Sequence, residues 1–111
     1  MGKHSNDRLQ GTLDLLVLKS LASRGAMHGY GITMHIQTIA GDALRMEEGS
    51  LYPALHRMAQ GGWISSKWSM SENNRKARYY AITAAGHRQL AAEQQRWSDL
   101  TAAVARVLEL A

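Results

Sequence analysis

The sequence predicts a mostly α-helical protein that carries one small β-hairpin and ends in a long helix. Three observations support this prediction. Apolar residues recur at helical spacing in four segments, strand-like alternation occupies one stretch between the third and the fourth, and glycines interrupt the pattern between segments. With 111 residues and no change of composition that marks a second domain, we expect a single domain with one modest core.

The first two helices are predicted from apolar spacing and from the residues at their ends. The first spans Thr12 to Ala22, with Thr12 as its N-cap, and its apolar face comprises Leu13, Leu16, Val17 and Leu21. Ser23, Arg24 and Gly25 break this pattern. The second helix follows Met27, ends at Gly41, and carries its apolar residues at Ile32, Ile36 and Ile39.

The third helix is predicted for the segment LYPALHRMAQ, from Leu51 to Gln60. Ser50 can cap it, and Pro53 falls in its first turn, where a backbone N–H has no helical partner. One face is apolar and comprises Leu51, Ala54, Leu55 and Met58. The opposite face is polar, aromatic and cationic, with Tyr52, Pro53, His56, Arg57 and Gln60.

A β-hairpin is predicted after Gly61 and Gly62. Its strands run from Trp63 to Trp68 and from Arg78 to Ile82, and the link from Ser69 to Ala77 forms a long basic tip. Two strands alone are marginal, so the large side chains should pack on the helices rather than form a stacking platform for bases. This packing role is expected for Trp63, Trp68, Tyr80 and Ile82, with Ile64 facing the same way as Trp68, whereas the role of Tyr79 on the opposite face stays open.

The last helix should be longer than its own domain can cover. From Thr83, a natural N-cap, to Leu110 it would extend about 42 Å, which exceeds the roughly 26 Å diameter of a 100-residue domain. Apolar residues follow a seven-residue repeat interrupted by Glu93, with Leu90, Trp97 and Val104 in the repeat and Leu100, Val107 and Leu108 beside it. We therefore infer a homodimer in which this helix packs against the partner chain.

The charge of the chain favours an anionic partner. Thirteen Lys and Arg residues against nine Asp and Glu residues give a formal net charge of +4. The excess is concentrated between Asn73 and Ala92, a stretch without any acidic residue. A basic loop that is merely solvated is the simpler alternative.

Several other classes of protein are disfavoured. The sequence has no cysteine, no apolar run near the roughly 18 residues of a membrane span, and no signal-like stretch in MGKHSNDRLQ, so we expect a cytoplasmic, soluble protein with no membrane partner. His28 and His35 would lie about 10 Å apart on one helix, too far to share a zinc ion. Because no catalytic motif is present either, we expect no enzyme activity, no cofactor and no metal site.

Three helices, a hairpin and a further helix follow one another in the order of a winged helix-turn-helix protein. In that fold the third helix enters the DNA major groove and the hairpin, or wing, contacts the flanking backbone. The sequence thus predicts a winged helix-turn-helix DNA-binding domain over residues 1–82 and a dimerisation helix over residues 83–111, packed as one compact unit.

Five strings carry a resemblance to a known family: LDLLVLKSLA, HGYGI, EEGSLYPALHRM, GGWI and RYYAITAAGHRQL. In this order and at these spacings the chain resembles the PadR family of bacterial transcriptional regulators, in particular its short subgroup with one C-terminal dimerisation helix. The resemblance extends from about Leu9 to Leu110. It implies a dimeric repressor that a small molecule or a stress signal releases from its operator, with SLYPALHRM as the recognition helix and RKARYY as the edge of the wing.

The predicted DNA-binding residues lie on the third helix, on the wing and at the start of the second helix. On the third helix Ser50 and Tyr52 should contact a phosphate, although Tyr52 could be structural, and Pro53 lies beside them among the DNA-binding residues. His56 and Arg57 should reach base edges, Arg57 as a bidentate partner of guanine, unless the two form a solvated surface pair. On the wing the candidates are Asn74, Arg75, Lys76 and Arg78, of which Asn74 could instead shape the turn. For Tyr30 a phosphate contact and a core position fit equally well.

Trp97 has two expected roles. It lies in the dimer seam, and some members of the resembled family bind flat aromatic compounds between their dimerisation helices with a tryptophan at a similar place, which implies a small aromatic effector. The leading function is a sequence-specific, homodimeric transcriptional repressor on an inverted-repeat operator. The alternatives are a winged-helix module that binds an acidic protein surface and a ligand sensor that does not bind DNA directly.

Overall fold

In a computed structural model, which describes residues 2–41, 44 and 48–110, the chain forms four helices and three strands over those residues. They follow in the order α1 (Gly2–Arg24), β1 (Met27–His28), α2 (Gly29–Ala40), α3 (Glu48–Gln60), β2 (Ile64–Met70), β3 (Lys76–Ile82) and α4 (Ala84–Leu110). The strands form one antiparallel sheet in the order β1-β3-β2. The prediction of a mostly helical, winged helix-turn-helix chain with a long final helix is therefore confirmed.

Two helix starts differ from the prediction. Helix α1 begins at Gly2, so Thr12 lies inside it and is not its N-cap. Helix α3 begins at Glu48, so Ser50 lies inside the first turn and Pro53 in the second, where its missing N–H removes one backbone hydrogen bond. Serine and threonine cost little inside a helix when neighbouring turns continue it, so their presence alone does not locate an N-terminus.

The ends of α2 are set by two residues with special roles. Gly41 adopts φ 64° and donates its N–H to the carbonyl of Gln37, which confirms the predicted C-terminal stop. At the other end the N-cap is His28, whose Nδ1 accepts the N–H of Gly31 at 2.9 Å. Histidine is an unusual cap, and the sequence alone did not predict it.

The core lies where α1, α2 and α3 meet the inner end of the sheet. Its buried residues come from each of these elements and from the first turns of α4, namely Val17, Leu18, Leu21, Ile32, Ile36, Leu51, Ala54, Leu55, Met58, Ile64, Tyr80 and Leu90. The apolar face predicted for the third helix is the one that is buried. We call β2, the loop 71–75 and β3 together the wing.

Helix α4 is fastened at its N-terminus to residues 62 and 63, which lie between α3 and β2. Thr83 accepts the N–H of Gly86 at its Oγ1 (3.0 Å), as predicted for the N-cap, and donates the same hydroxyl to the carbonyl of Gly62 (2.6 Å). Gly86 packs so closely that an added Cβ would collide with the carbonyl oxygen of Trp63. This contact fixes the direction in which α4 leaves the domain.

Leu90 does not belong to the exposed seam to which it was assigned. It is only 6% exposed and packs within the core of its own chain. Glu93, one turn later, is also buried and binds Gln89 and Arg96 (2.9 and 3.0 Å). Beyond it α4 projects from the domain, and the molecule is 55 Å long but only about 30 Å across.

Candidate nucleic-acid interface

A groove of about 1110 Å³ lies between the start of α2 and the wing. Five of the predicted DNA-binding residues line it: Tyr30, Tyr52, Arg75, Lys76 and Arg78. The tyrosines belong to the helical side of the groove and the three cations to the wing. Residues separated by up to 48 positions in the chain thus share one concave surface, where the three wing cations outnumber the single carboxylate of the lining, that of Glu72.

The outer face of α3 lies beside this groove. Tyr52, Pro53 and His56 are exposed there, together with Ser50 one turn earlier and Gln60 at the end of the helix. Because the buried face of α3 packs on the core, this outer face presents the helix to solvent along its length. A major groove about 12 Å wide can admit such a helix.

Arg57 is placed differently from the free guanidinium expected for a base contact. Its Nη2 and Nη1 donate to the two carboxylate oxygens of Asp14 at 2.7 and 3.0 Å. The side chain of Asp14 is 6% exposed and that of Arg57 40% exposed. The hydrogen bond with Asp14 raises the pKa of Arg57 against the opposing effect of partial burial, so the guanidinium is charged and bound.

The partner of Arg57 was not identified from the sequence, although one signal was available. Asp14 is an acidic residue within the apolar string TLDLLVL, and its place on α1 buries it. A buried carboxylate needs a cation or several hydrogen-bond donors. That signal predicts a partner for Asp14 but does not say which of the thirteen Lys and Arg residues it is, and the structure shows that it is Arg57, 43 residues later.

Aromatic residues surround the start of α2. The ring of His28 meets that of Tyr79 edge-on at 5.2 Å between centroids, while the centroid of Tyr30 lies 6.4 Å away. Tyr30 is 61% exposed, so it does not lie in the core, which was one of its two expected roles. The other role, a phosphate contact, stays a prediction. The pairing of His28 with Tyr79 across β1 and β3 gives Tyr79 a structural contact.

Strand β1 brings these rings to the wing, and it was not predicted. It contains only Met27 and His28, which pair with Tyr80 and Tyr79. Two residues carry no periodic signal, and such a strand exists only because β3 offers its edge.

The start of α3 packs against the start of α2, where Gly29 leaves room for a ring. The ring of Tyr52 approaches Gly29 so closely that a Cβ there would lie 2.7 Å from the tyrosine hydroxyl. The side chain of Tyr52 is therefore in contact with α2 while its ring remains half exposed in the groove. Structural and phosphate-binding roles are compatible at this position.

The tip of the wing is a tight, hydrogen-bonded turn. Ser71 and Arg75 are joined by an N–H to carbonyl bond of 2.7 Å, and Asn74 adopts φ 62°, a conformation that asparagine tolerates better than most residues. Asn74 therefore shapes the turn, which was one of the two roles expected for it. The cations Arg75, Lys76 and Arg78 are exposed on and beside this turn.

The packing role expected for Trp68 is wrong. Trp63, Tyr80 and Ile82 pack on or in the core, but Trp68 is 59% exposed. Strand β2 extends past the helices. Ile64 and Trp68 lie on the same face of the sheet, but only Ile64 is covered by the core, and Trp68 lies in solvent.

Helix α4 exposes an apolar stripe beyond Glu93. We define this stripe by five exposed side chains, namely Trp97, Leu100, Val104, Val107 and Leu108. At 100° per residue they fall within an arc of about 100°. Leu90 lies on the same face of the helix, as the seven-residue repeat predicts. Unlike the later members of the repeat, however, it is buried by its own chain.

Neither a metal site nor a membrane-spanning helix is found in the described part of the chain. Within residues 2–41, 44 and 48–110, no three His, Cys, Asp or Glu side chains come together in a way that could hold a metal ion. In the same ranges no helix combines the length and the apolar character needed to cross a bilayer.

Comparison with known proteins agrees with this architecture. The model of the Transcriptional regulator PadR-like family matches residues 17–92. A transcriptional regulator from Clostridium thermocellum is 25% identical, with a TM-score of 0.80, and the match covers 90% of this chain and 96% of that one. No curated protein matches the chain in sequence.

Two further solved structures are similar over nearly the whole chain. A PadR-like transcriptional regulator from Bacillus cereus is 28% identical, with a TM-score of 0.76, over 92% of this chain and 96% of that one. A PadR family transcriptional regulator from Eggerthella lenta is 29% identical, with a TM-score of 0.73, over 96% of this chain and 90% of that one.

Proposed function

The chain belongs to the PadR-like family of transcriptional regulators, and from this premise we propose that it is a homodimeric repressor that binds an inverted-repeat DNA operator. The observation that carries the proposal is the exposed outer face of α3 beside a groove whose wing side bears three cations. A helix and a basic hairpin placed side by side match the two contacts that a winged helix-turn-helix makes with a duplex.

Within this proposal the outer face of α3 enters the major groove. His56 is exposed near the middle of the helix and faces base edges, while Ser50 and Pro53 approach the backbone at the N-terminal end. Arg57 serves a different role from the guanine contact first expected. Because Asp14 holds it on both terminal nitrogens, Arg57 sets the orientation of α3 on α1.

The walls of the groove receive the sugar–phosphate backbone. Tyr30 and Tyr52 offer hydroxyl groups on the helical side, and Arg75, Lys76 and Arg78 offer cations on the wing. Cations bound to phosphates release counterions, which makes the affinity dependent on salt.

The apolar stripe of α4 joins two copies of the chain. Two stripes packed together bury side chains that a single chain leaves in water. The resulting pair would present two α3 helices to half-sites about 34 Å apart, or a multiple of that distance. Trp97 would lie inside this interface, and we assign it the lining of a site for a flat aromatic effector, to be tested by quenching of its fluorescence in the absence of DNA.

The test is a binding titration at several salt concentrations, with an inverted-repeat duplex from upstream of the gene and a random duplex of equal length. Six wing cations in the dimer predict a contribution of about −5 to the slope of log K against log salt. Lys76→Ala should reduce the magnitude of the slope by about 2, since each dimer loses two phosphate contacts.

Lys67→Ala is the matched control, because Lys67 is exposed on β2 but faces away from Trp68 and Arg78. It removes the same charge and should leave the slope unchanged. Equal affinity for the inverted repeat and the random duplex at moderate salt would contradict the proposed function.

A further inference from the structure

On one face of the wing, at the end far from the helices, a group of exposed side chains lies outside the core. In the β2–β3 register Trp68 lies opposite Arg78 and Met70 lies opposite Lys76, so Trp68, Arg78 and Lys76 share one face of the sheet. Nearer the helices the same face supplies Ile64 and Tyr80 to the core. Trp68 therefore sits on a continuation of the core face that the helices do not cover.

Both cations lie over the indole ring of Trp68. The Nζ of Lys76 is 5.6 Å from the ring centroid and the Cζ of Arg78 is 5.8 Å from it. These distances are within the roughly 6 Å at which a cation is attracted to an aromatic face. Arg78 is held a second time, because its Nε donates to the Oγ of Ser66 at 3.0 Å.

Such contacts matter for binding because lysine and arginine are flexible. An exposed cation that must be immobilised on a phosphate loses rotamer freedom on binding, and a side chain that is already restrained loses less. The contact of Arg78 with Ser66 uses Nε–H, which leaves the N–H groups of its two terminal nitrogens for a phosphate.

We propose that Trp68 is a positioning residue that holds Lys76 and Arg78 ready for two phosphates of the DNA backbone. The proposal rests on the proposed function and adds a residue to which no role in binding was assigned. A different use of an exposed tryptophan, insertion between bases, fits less well, because the two cations already occupy the region over the ring.

The first test needs no DNA. A ring that lies close to the side chains of Lys76 and Arg78 should shift their methylene protons upfield in the NMR spectrum, and Trp68→Leu should return them to ordinary positions. Protons of Lys67, on the other sheet face, should not move. Unshifted Lys76 and Arg78 protons in the wild-type protein would overturn the proposal.

The second test is a double-mutant cycle on operator binding. Trp68→Leu should weaken binding by about tenfold for each half-site, because two side chains that the ring had restrained would then lose more rotamer freedom on binding, and Trp68→Phe should restore most of it. In a Lys76→Ala/Arg78→Ala background the same Trp68→Leu change should weaken binding by less than about twofold, because its partners are gone. The thermal unfolding midpoint should fall by only a few degrees, since Trp68 is exposed and its loss opens no cavity in the core.

Each other outcome is decisive. A full Trp68→Leu effect in the double-alanine background means that the ring itself contacts DNA and overturns the positioning role. An unchanged affinity for Trp68→Leu, with wild-type protein still binding the operator, overturns this inference alone. Wild-type protein that binds no operator duplex overturns the proposed function and this inference together.

Discussion

The role of Arg57 depends on a single contact, its ion pair with Asp14. On a helical wheel it lies on the outer face of α3, and only the position of Asp14 on α1 reveals that it is bound to its own chain. The sequence indicates which face of the helix is outward, but the pairing joins residues 43 positions apart and depends on how two helices pack.

Arg57→Ala should destabilise the folded protein by about 1–2 kcal/mol, because it leaves the carboxylate of Asp14 buried without its cation, while water reaching the half-open site limits the cost. Since pairing raises the pKa of Arg57, its contribution is fully present below the ordinary arginine pKa and is lost only at more alkaline pH. Urea unfolding at neutral and mildly alkaline pH should thus give the same difference.

The matched variant is Asp14→Leu/Arg57→Leu, which removes both partners and should recover much of the lost stability. Arg57→Ala as stable as the wild type would show that the ion pair contributes nothing.

His56→Ala should relax sequence preference without abolishing binding. His56 is exposed on the outer face of α3, so its loss leaves the core intact and removes contacts to one base pair. Competition titrations with operators altered at each position should show discrimination falling by about 1–3 kcal/mol at one position only. His87→Ala, at an exposed histidine on α4, should keep the wild-type preference, and a uniform loss across all positions would contradict a base contact.

Among the helices and strands, the features that the sequence predicted depend on nearby residues, whereas those that it missed depend on residues far away in the chain. Helix α2, its stop at Gly41 and the N-cap Thr83 follow from neighbours within a few residues, and all three were predicted. The start of α1, strand β1 and the exposure of Trp68 depend on what the rest of the chain covers. The same division holds at the site, where residue types and faces were predicted and contacts such as that of Arg57 were not.

The close approach of α4 to the backbone before β2 can be tested by substitution. Gly86→Ala should destabilise the fold by about 1–3 kcal/mol, because the new Cβ would meet the backbone carbonyl oxygen of Trp63, which cannot rotate away. Thermal or urea unfolding measures the change.

Gly11→Ala is the matched control, since Gly11 lies inside α1 and, apart from its own turns of the helix, no described side chain or backbone atom comes within 4 Å of a Cβ placed there. It should stabilise the protein by about 0.5–1 kcal/mol, the usual gain of alanine over glycine in a helix. Equal effects of the two substitutions would show that the approach of Gly86 to Trp63 is not tight.

At the scale of the whole molecule, α4 has two functions along its length. Its first turns complete the core through Leu90, and beyond Glu93 the same face of the helix becomes the apolar stripe. Any partner bound along the stripe is thereby connected rigidly to the core, and through it to α3 and the wing. The spacing of two DNA-binding faces would then be set by one continuous helix in each chain.

Val104→Glu should convert the proposed dimer into a folded monomer, because it places a charge in the middle of the apolar stripe, outside the protomer core. Sedimentation should show half the mass and circular dichroism an unchanged helix content. Operator affinity should fall by a factor of about 10² to 10⁴, since two linked half-site contacts become independent. Ala102→Glu adds the same charge at an exposed position on the other side of α4 and should remain a dimer that binds. If Val104→Glu stays dimeric while binding DNA normally, the two chains associate through a different surface, and the spacing of their recognition helices is not set by α4.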